Sequence, residues 1–297
     1  MTAAKNRPGN AGKEVSALEA SQTALRPLSG CSRIVVKVGT STLTHPTGKM
    51  NLRRFHNLVR VLADLSNAGK QIILVSSGAV GLGVGQLGLR ERPTDTPSKQ
   101  ACAAVGQCEL MYLYDRQFGN YSVNVAQVLV TKAVLSGKGS INAGNCMERL
   151  LEMGVIPIVN ENDTVAIDEL ELEIGENDSL AAIVAGLVHA DALILMSDIN
   201  GLYSADPHKD ETAELIPIVT EITPEIESIA GGAGTPNARG GMATKIGAAK
   251  MATAAGIDMI IMNGEKPERL YDLLLNDEAV GTRFVAKNAE CGIRNAE

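Results

Sequence analysis

Short runs of β-branched and other apolar residues alternate with longer stretches of helical spacing along most of this sequence, and no other feature restricts the fold as tightly. The runs Arg33–Val38, Gln71–Ser76, Val123–Val130, Val155–Asn160, Ala192–Ser197 and Asp258–Met262 read as strands. Most are apolar nearly throughout, as a strand covered on both faces must be. Between them lie helical patterns. In the first, Asn51 is placed to cap the N-terminus, Leu52, Phe55, Leu58, Val59, Leu62 and Leu65 recur at helical spacing, and Gly69 stands just past the end. Further helices are expected at Ser98–Phe118, Ile141–Met153, Ser179–His189, Gly241–Ala255 and Pro267–Leu275. Strand, crossover helix, strand is the βαβ order, so the expectation is an α/β protein with a mainly parallel sheet covered by helices on both faces.

Composition removes several classes of function. With 297 residues and 45% hydrophobic content the chain can fill one large or two small packed domains and is too apolar to stay disordered. Its 27 Lys and Arg against 34 Asp and Glu give a formal charge of −7, without a basic block, and aromatics are 3% with no Trp. A surface built to grip nucleic acid is therefore not expected. No apolar run approaches the roughly 20 residues that a membrane helix needs. The five cysteines, Cys31, Cys102, Cys108, Cys146 and Cys291, are never spaced C-x-x-C, so neither a disulfide scaffold nor a zinc site is signalled. Residues 1–30 are rich in Ala, Ser, Gly and Pro, lack the apolar centre of a secretory signal, and carry Glu14 and Glu19, which argue against a transit peptide. They read as a flexible N-terminal tail on a cytoplasmic protein.

In an open parallel sheet, ligands bind beyond the carboxyl ends of the strands, so the residues after each strand are the candidates for chemistry. After the first come Lys37-Val38-Gly39-Thr40-Ser41, and after the second Ser76-Ser77-Gly78-Ala79. Gly39 and Gly78 either make simple turns or let backbone N–H groups approach an anion. Lys37 favours the anion, because an ammonium at the end of an apolar strand is costly to bury without a partner. Arg239-Gly240-Gly241-Met242-Ala243-Thr244-Lys245 opens an Ala-rich helix with Lys245 one turn in, a second place where amides and an ammonium could cradle phosphate. No G-x-x-x-x-G-K-[ST] occurs, so a nucleotide would be held without a P-loop. Two acid-amide clusters, Asn160-Glu161-Asn162-Asp163 and Glu176-Asn177-Asp178-Ser179, complete the set; Asn177 or Asp178 could equally be an ordinary helix cap. Gly83-Val84-Gly85-Gln86-Leu87-Gly88 matches the dinucleotide fingerprint, but it starts several residues after the strand ends, and Glu109 falls inside a helical pattern. An NAD site is not expected. Ile167–Ile174 alternates apolar and acidic residues and reads as a half-exposed strand or hairpin, either a charged edge or a flap over a ligand.

Taken in order, VVKVGTSTLT (Val35–Thr44), LVSSGAV (Leu74–Val80), SKQACAAVGQ (Ser98–Gln107), PIVNENDTVA (Pro157–Ala166), GENDSLAA (Gly175–Ala182), SDINGLYSADP (Ser197–Pro207) and RGGMATK (Arg239–Lys245) form a specific combination. By it the chain, from about Ser32 to Phe284, resembles the amino acid kinase superfamily and, within it, the glutamate 5-kinase family. The resemblance implies a three-layer αβα sandwich of the carbamate kinase type over residues 31–297, with a glutamate-binding lobe to residue 190 and an ATP-binding lobe from 191. It implies transfer of the γ-phosphate of ATP to the side-chain carboxylate of L-glutamate at the start of proline biosynthesis. Lys37 and Lys245 would hold the transferring phosphoryl and Asp178 would orient them. Ser77, Asp163 and Asn177 would bind glutamate. ATP would meet Lys37, Gly39, Gly78, Ser197, Asp198, and Arg239, Gly240, Gly241, Met242, Ala243, Thr244 and Lys245. Mg²⁺ would arrive on the phosphates without a protein metal motif. A homo-oligomer, dimer or tetramer, and feedback by L-proline are also implied; the Ile167–Ile174 segment is a candidate for that control. Arg239 stands where many members have a small residue, and neither of the family's additional domains, PUA or reductase, is recognised in the sequence. A non-catalytic amino-acid sensor and a kinase of another acidic amino acid are the alternatives, although a sensor has no need of both lysines.

Overall fold

The structure is a computed structural model and describes residues 25–45, 49–135, 137–166, 177–207, 209–231 and 241–287. Among these residues one sheet is formed by β1 (Arg33–Val38), β2 (Gln71–Ser76), β3 (Val125–Val130), β4 (Ile156–Glu161), β5 (Ala192–Ser197), β6 (Ile218–Val219), β7 (Asp258–Asn263) and β8 (Thr282–Phe284). The strand order is β3-β4-β2-β1-β5-β7-β8-β6, and only the β7·β8 pair is antiparallel. The helices are α1 (Thr40–Leu43), α2 (Leu52–Asn67), α3 (Ala79–Gln86), α4 (Thr96–Gly119), α5 (Lys132–Leu135), α6 (Gly139–Glu152), α7 (Asn177–Leu187), α8 (Pro224–Ile229), α9 (Met242–Ala254) and α10 (Arg269–Leu275).

Successive strand residues point to opposite faces, so the uninterrupted apolar strands feed two cores at once. Ile34, Val36 and Val38 of β1 join Phe55, Leu58 and Leu62 of α2, Leu110, Tyr114 and Phe118 of α4, and Leu270 and Leu274 of α10. Val35, between them in sequence, joins Met147 of α6, Ala181, Val184 and Ala185 of α7, and Ile246, Ala248 and Ala252 of α9 on the other face. The result is the expected three-layer αβα sandwich. Beside β1 the strand order runs one way through β2 and the other through β5, so the crossover connections part there and open a crevice at the carboxyl ends of these strands.

The first crossover helix follows its sequence signals closely. Asn51 Oδ1 accepts from Arg54 N at 3.2 Å, and Gly69 has φ 92° beyond the end. Leu52 departs from the expectation: it is exposed, because it lies at the edge of the apolar stripe. Other boundaries shift by one or two residues for identifiable reasons. α4 starts at Thr96 because Asp95 accepts from Ser98 N at 2.9 Å; α7 stops at Leu187, short of His189, whose φ of 48° cannot continue a helix. β3 starts at Val125, two residues later than expected, and β4 at Ile156, while α6 runs Gly139–Glu152, α9 Met242–Ala254 and α10 Arg269–Leu275. β6 and β8, of two and three residues, are too short to leave a periodic trace.

The glycine run that imitates a dinucleotide fingerprint has a packing explanation. It lies in and just after α3, which crosses α4 at backbone contact. A Cβ on Gly83 would stand 1.8 Å from Cys102 O, and one on Gly106 would stand 1.8 Å from Ala79 O. Only glycine allows that approach. Of the tail expected over residues 1–30, residues 1–24 lie outside the described residues, as does the Ile167–Ile174 segment. Residues 25–30 instead pack on the fold, where Leu28 is buried at the start of a 3-10 turn, Leu28–Gly30, and Ser29 N donates to Asp277 Oδ1 at 2.7 Å. None of the described helices is long and apolar enough to cross a membrane.

Candidate active site

Lys37 sits one residue before the end of β1, on the same face as Val35, so strand alternation delivers its ammonium to the layer of α7 and α9. Asp178, in the first turn of α7, meets it there, with Nζ 2.7 Å from Oδ1. From the first turn of α9, Lys245 Nζ donates to Asp178 Oδ2 at 3.2 Å, and Thr244 Oγ1 donates to the same oxygen at 3.2 Å. Small residues make this meeting possible: Ala181, Ala182 and Ala185 on α7 and Ala248, Ala249 and Ala252 on α9 are all buried, which lets two thin helices pack closely. The cap reading of Asp178 is thereby replaced, since both of its oxygens face ammonium groups.

The trio is withdrawn from water, with Asp178 at 0%, Lys37 at 3% and Lys245 at 7% exposure. Burial alone would raise the Asp178 carboxyl; the Lys37 and Lys245 charges outweigh it and hold the group below the usual carboxylate range. Its Oδ1 lacks an aligned hydrogen-bond donor, so compensation at that oxygen is the charge of Lys37. Two ammonium groups and one carboxylate leave an excess of one positive charge. That excess borders a cleft of about 900 Å³, which Lys37 and Lys245 line.

The cleft gathers residues from the ends of β1, β2, β4 and β5 and from the starts of α7 and α9. Gly39, Ser77, Gly78, Asp163, Asn177, Ser197, Asp198, Gly241 and Met242 all line it. Gly78 takes φ 114° at the start of α3, a conformation that strongly favours glycine, and a Cβ on Gly39 would reach 3.6 Å from Lys37 Nζ. Ser197 Oγ donates to Asp198 Oδ1 at 3.0 Å. Asp178, Ala243 and Thr244 are not among the residues that line the cleft, while Arg239 and Gly240 lie outside the described residues.

Three further residues belong to this region: Asn160, which the sequence offered only as part of an acid-amide cluster, and Gln107 and Arg92, which it did not single out. Asn160 and Gln107 form a buried amide row with Asn177: Asn177 Nδ2 donates to Asn160 Oδ1 at 3.0 Å, and Asn160 Nδ2 donates to Gln107 Oε1 at 2.9 Å. A polar residue ending an apolar strand was the available signal for Asn160; Gln107 on α4 had none beyond its place in the SKQACAAVGQ segment. Arg92, on the loop between α3 and α4, lines the cleft and has no carboxylate partner among the described residues. Gln100 Nε2 donates to Ala166 O at 3.3 Å, tying the start of α4 to the segment that bears Asp163. Among the described residues no three His, Cys, Asp or Glu side chains gather into a metal cage.

Known proteins are similar to this chain, some in sequence and others in architecture alone. The amino acid kinase family matches residues 32–263. The chain is 54% identical over 268 residues to a glutamate 5-kinase of Clostridium perfringens, covering 89% of this chain and 99% of that protein. It is 52% identical over 261 residues to a glutamate 5-kinase of Moorella thermoacetica, covering 88% of this chain and 68% of that one. Among solved structures, carbamate kinase from Giardia lamblia bound to AMP-PNP superposes with a TM-score of 0.61 at 16% identity, over 87% of this chain and 100% of that one. UMP kinase from Bacillus anthracis gives 0.59 at 14% identity, over 89% and 98%. These distant likenesses bear on the fold alone.

Proposed function

The chain belongs to the amino acid kinase family, and from that premise we propose that it is a glutamate 5-kinase, which moves the γ-phosphoryl group of ATP onto the side-chain carboxylate of L-glutamate. The observation that carries the reading is the pair of buried lysines held around Asp178 at the wall of the cleft, joined to about half identity with proteins of that name.

The chemistry asks little beyond positioning and charge. One carboxylate oxygen of glutamate forms a bond to the γ-phosphorus as the bond to the β,γ-bridging oxygen breaks, and the electron pair leaves with ADP. No proton need move, because the nucleophile is already a carboxylate. Negative charge spreads over the equatorial oxygens in the transition state, and Lys37 from β1 and Lys245 from α9 answer it together. Asp178 fixes both ammonium groups before the nucleotide arrives, so little reorganisation accompanies transfer. Gly39 and Gly78 offer N–H groups to the phosphates, Ser197 and Asp198 take the adenosine side, and the start of α9 at Gly241 and Met242 borders the phosphate chain. Arg239, Gly240, Ala243 and Thr244 are assigned to the nucleotide in the same reading.

Ser77, Asp163 and Asn177 receive the amino acid, Asp163 pairing with its ammonium. Arg92 supplies the missing cation for the α-carboxylate. Mg²⁺ fits this site as an ion carried by the phosphates and water, since both Asp178 oxygens are engaged by lysines; when bound it neutralises charge on the β- and γ-phosphate oxygens. Residues 31–190 are read as the glutamate lobe and 191–297 as the ATP lobe. A role in proline biosynthesis with feedback by L-proline, a cytoplasmic location and a homo-oligomer belong to the same reading. Exposed Val105 and Tyr112 on α4 and Ile141 on α6, near the open edge at β3, support the oligomer.

Coupled ADP release with L-glutamate, L-aspartate, N-acetylglutamate and no acceptor tests the activity. Release that depends on glutamate is expected; equal release without an acceptor, or a preference for another of these acids, contradicts it.

A further inference from the structure

We infer that Gln107, which does not line the cleft, is a positioning residue for the amino-acid substrate: acting through Asn160, it helps hold the Asn177 carboxamide in the orientation that presents an acceptor to the substrate's ammonium group. The inference rests on the reading of the cleft as an amino-acid kinase site.

A carboxamide has donors at one end and acceptors at the other, and a half-turn exchanges them. In this protein each amide of a row fixes the next. Asn177 Nδ2 donates to Asn160 Oδ1 at 3.0 Å, to Ser77 Oγ at 2.8 Å and to Ser76 O at 3.2 Å. Asn160 can offer its oxygen to Asn177 only while its own nitrogen faces the other way, where Gln107 Oε1 accepts at 2.9 Å. Gln107 can offer that oxygen only while its nitrogen faces Gln127 Oε1, at 3.2 Å. Turning Gln107 would set NH₂ against NH₂, and a compensating turn of Asn160 would repeat the clash at Asn177. Asn160 and Gln107 are 3% and 8% exposed, so water is poorly placed to repair either mismatch.

The polarity of the cleft wall follows from the direction of this row. With its nitrogen committed to Ser76, Ser77 and Asn160, Asn177 has an Oδ1 that meets no donor among the described residues, on a side chain that lines the cleft. Ser77 Oγ, having accepted from Asn177, keeps its proton to donate. The wall therefore offers an acceptor at Asn177, a donor at Ser77 and a carboxylate at Asp163, which complements the ammonium and carboxylate of an α-amino acid. Asn177 turned around would present two donors to the ammonium instead. The carbonyl of Ser76 also favours the observed orientation, so losing Gln107 weakens it without abolishing it.

Calorimetric titration of L-glutamate, and of glutarate, which lacks the amino group, into wild type, Gln107→Leu and Gln107→Glu tests the inference, with ATP affinity as the check on folding. The second substitution leaves a carboxylate that only accepts: it still receives Asn160 Nδ2, and the exposed Gln127 can turn to donate to it. Gln107→Leu is expected to weaken glutamate binding about tenfold, the order of one broken buried hydrogen bond, with glutarate and ATP binding within about twofold of wild type. Gln107→Glu is expected to keep the wild-type preference for glutamate over glutarate. Unchanged glutamate affinity in Gln107→Leu, an equal loss for glutarate, or a Gln107→Glu variant as impaired as the leucine one overturns the inference. Wild type that binds glutamate by the same polarity rule but never phosphorylates it overturns the kinase reading and leaves this one standing; wild type that binds no glutamate overturns both.

Discussion

Replacing Asp178 by Asn keeps the shape of the side chain and removes the charge that two buried ammonium groups share. Lys37 and Lys245, at 3% and 7% exposure, have little water to turn to, and Asp178 itself has none. Deleting one partner of a buried ion cluster leaves the others uncompensated, which costs about 3–5 kcal/mol. At roughly 2–4 °C per kcal/mol for a large domain, the Asp178→Asn melting temperature should fall by about 6–20 °C. The loss has a definite pH dependence. The folded-state value of Asp178 lies below the ordinary 3.8, because burial, which raises it, is outweighed by the two lysines. Its contribution is thus fully present above 3.8 and disappears as the pH falls through the depressed folded value, so the gap between wild type and variant should be widest near neutrality and close in strong acid. ATP phosphates restore negative charge between the lysines, so the nucleotide should raise the melting temperature of the variant more than that of wild type. Turnover should fall by about 10²–10³, the usual cost of losing preorganised electrostatic support. Scanning calorimetry with and without ATP, repeated from pH 7 into acid, reads the stability effects, and coupled ADP release reads the turnover. A variant within about 1 kcal/mol of wild type at pH 7, with no added response to ATP, would refute the electrostatic account of the cluster.

Gly83→Ala forces a methyl to within 1.8 Å of the Cys102 carbonyl oxygen, so α3 and α4 must separate; a stability loss of about 1–3 kcal/mol or more is expected in urea unfolding, and no loss would reopen a ligand role for that glycine run. Arg92→Ala, at an exposed loop position, should raise the KM for glutamate about tenfold while leaving kcat nearly unchanged, the signature of lost binding common to ground and transition states. The same variant should treat 4-aminobutyrate, which lacks the α-carboxylate, as wild type does; an equal effect on both acids would remove Arg92 from substrate recognition. Asn51→Ala deletes the cap bond to Arg54 N and should cost about 1 kcal/mol by chemical denaturation, whereas an unchanged midpoint would show that the α2 terminus is held by packing alone.

The sheet was legible because its strands are buried on both faces: β1, β2 and β5 fall on the expected residues to the end, and their apolar runs divide cleanly between two cores. Edges were not. β6 and β8 are too short for periodicity, and α3 hides inside a glycine run whose meaning depends on its contact with α4. At the site, Lys37 was visible from the cost of burying an ammonium in a strand, but its distance to Asp178 and Lys245 is a property of how α7 and α9 cross and could come only from the resemblance or from coordinates. Local sequence even offered a competing explanation for Asp178 as a cap. Gln107 and Arg92 left no local trace, one being an amide on a helix otherwise mixed in character, the other an arginine in a charged loop. Their roles depend on direction and on which groups face them, which are three-dimensional facts.

The central claim is that Lys37 and Lys245, held by one buried carboxylate, close on the migrating phosphoryl group. It is tested most directly by the single-turnover rate at which Lys245→Met forms glutamyl phosphate, trapped with hydroxylamine as the hydroxamate. Transfer slowed about 10²–10³-fold with glutamate affinity within about twofold of wild type is the expected result. A Lys245→Met protein that transfers the phosphoryl group at the wild-type rate contradicts the account.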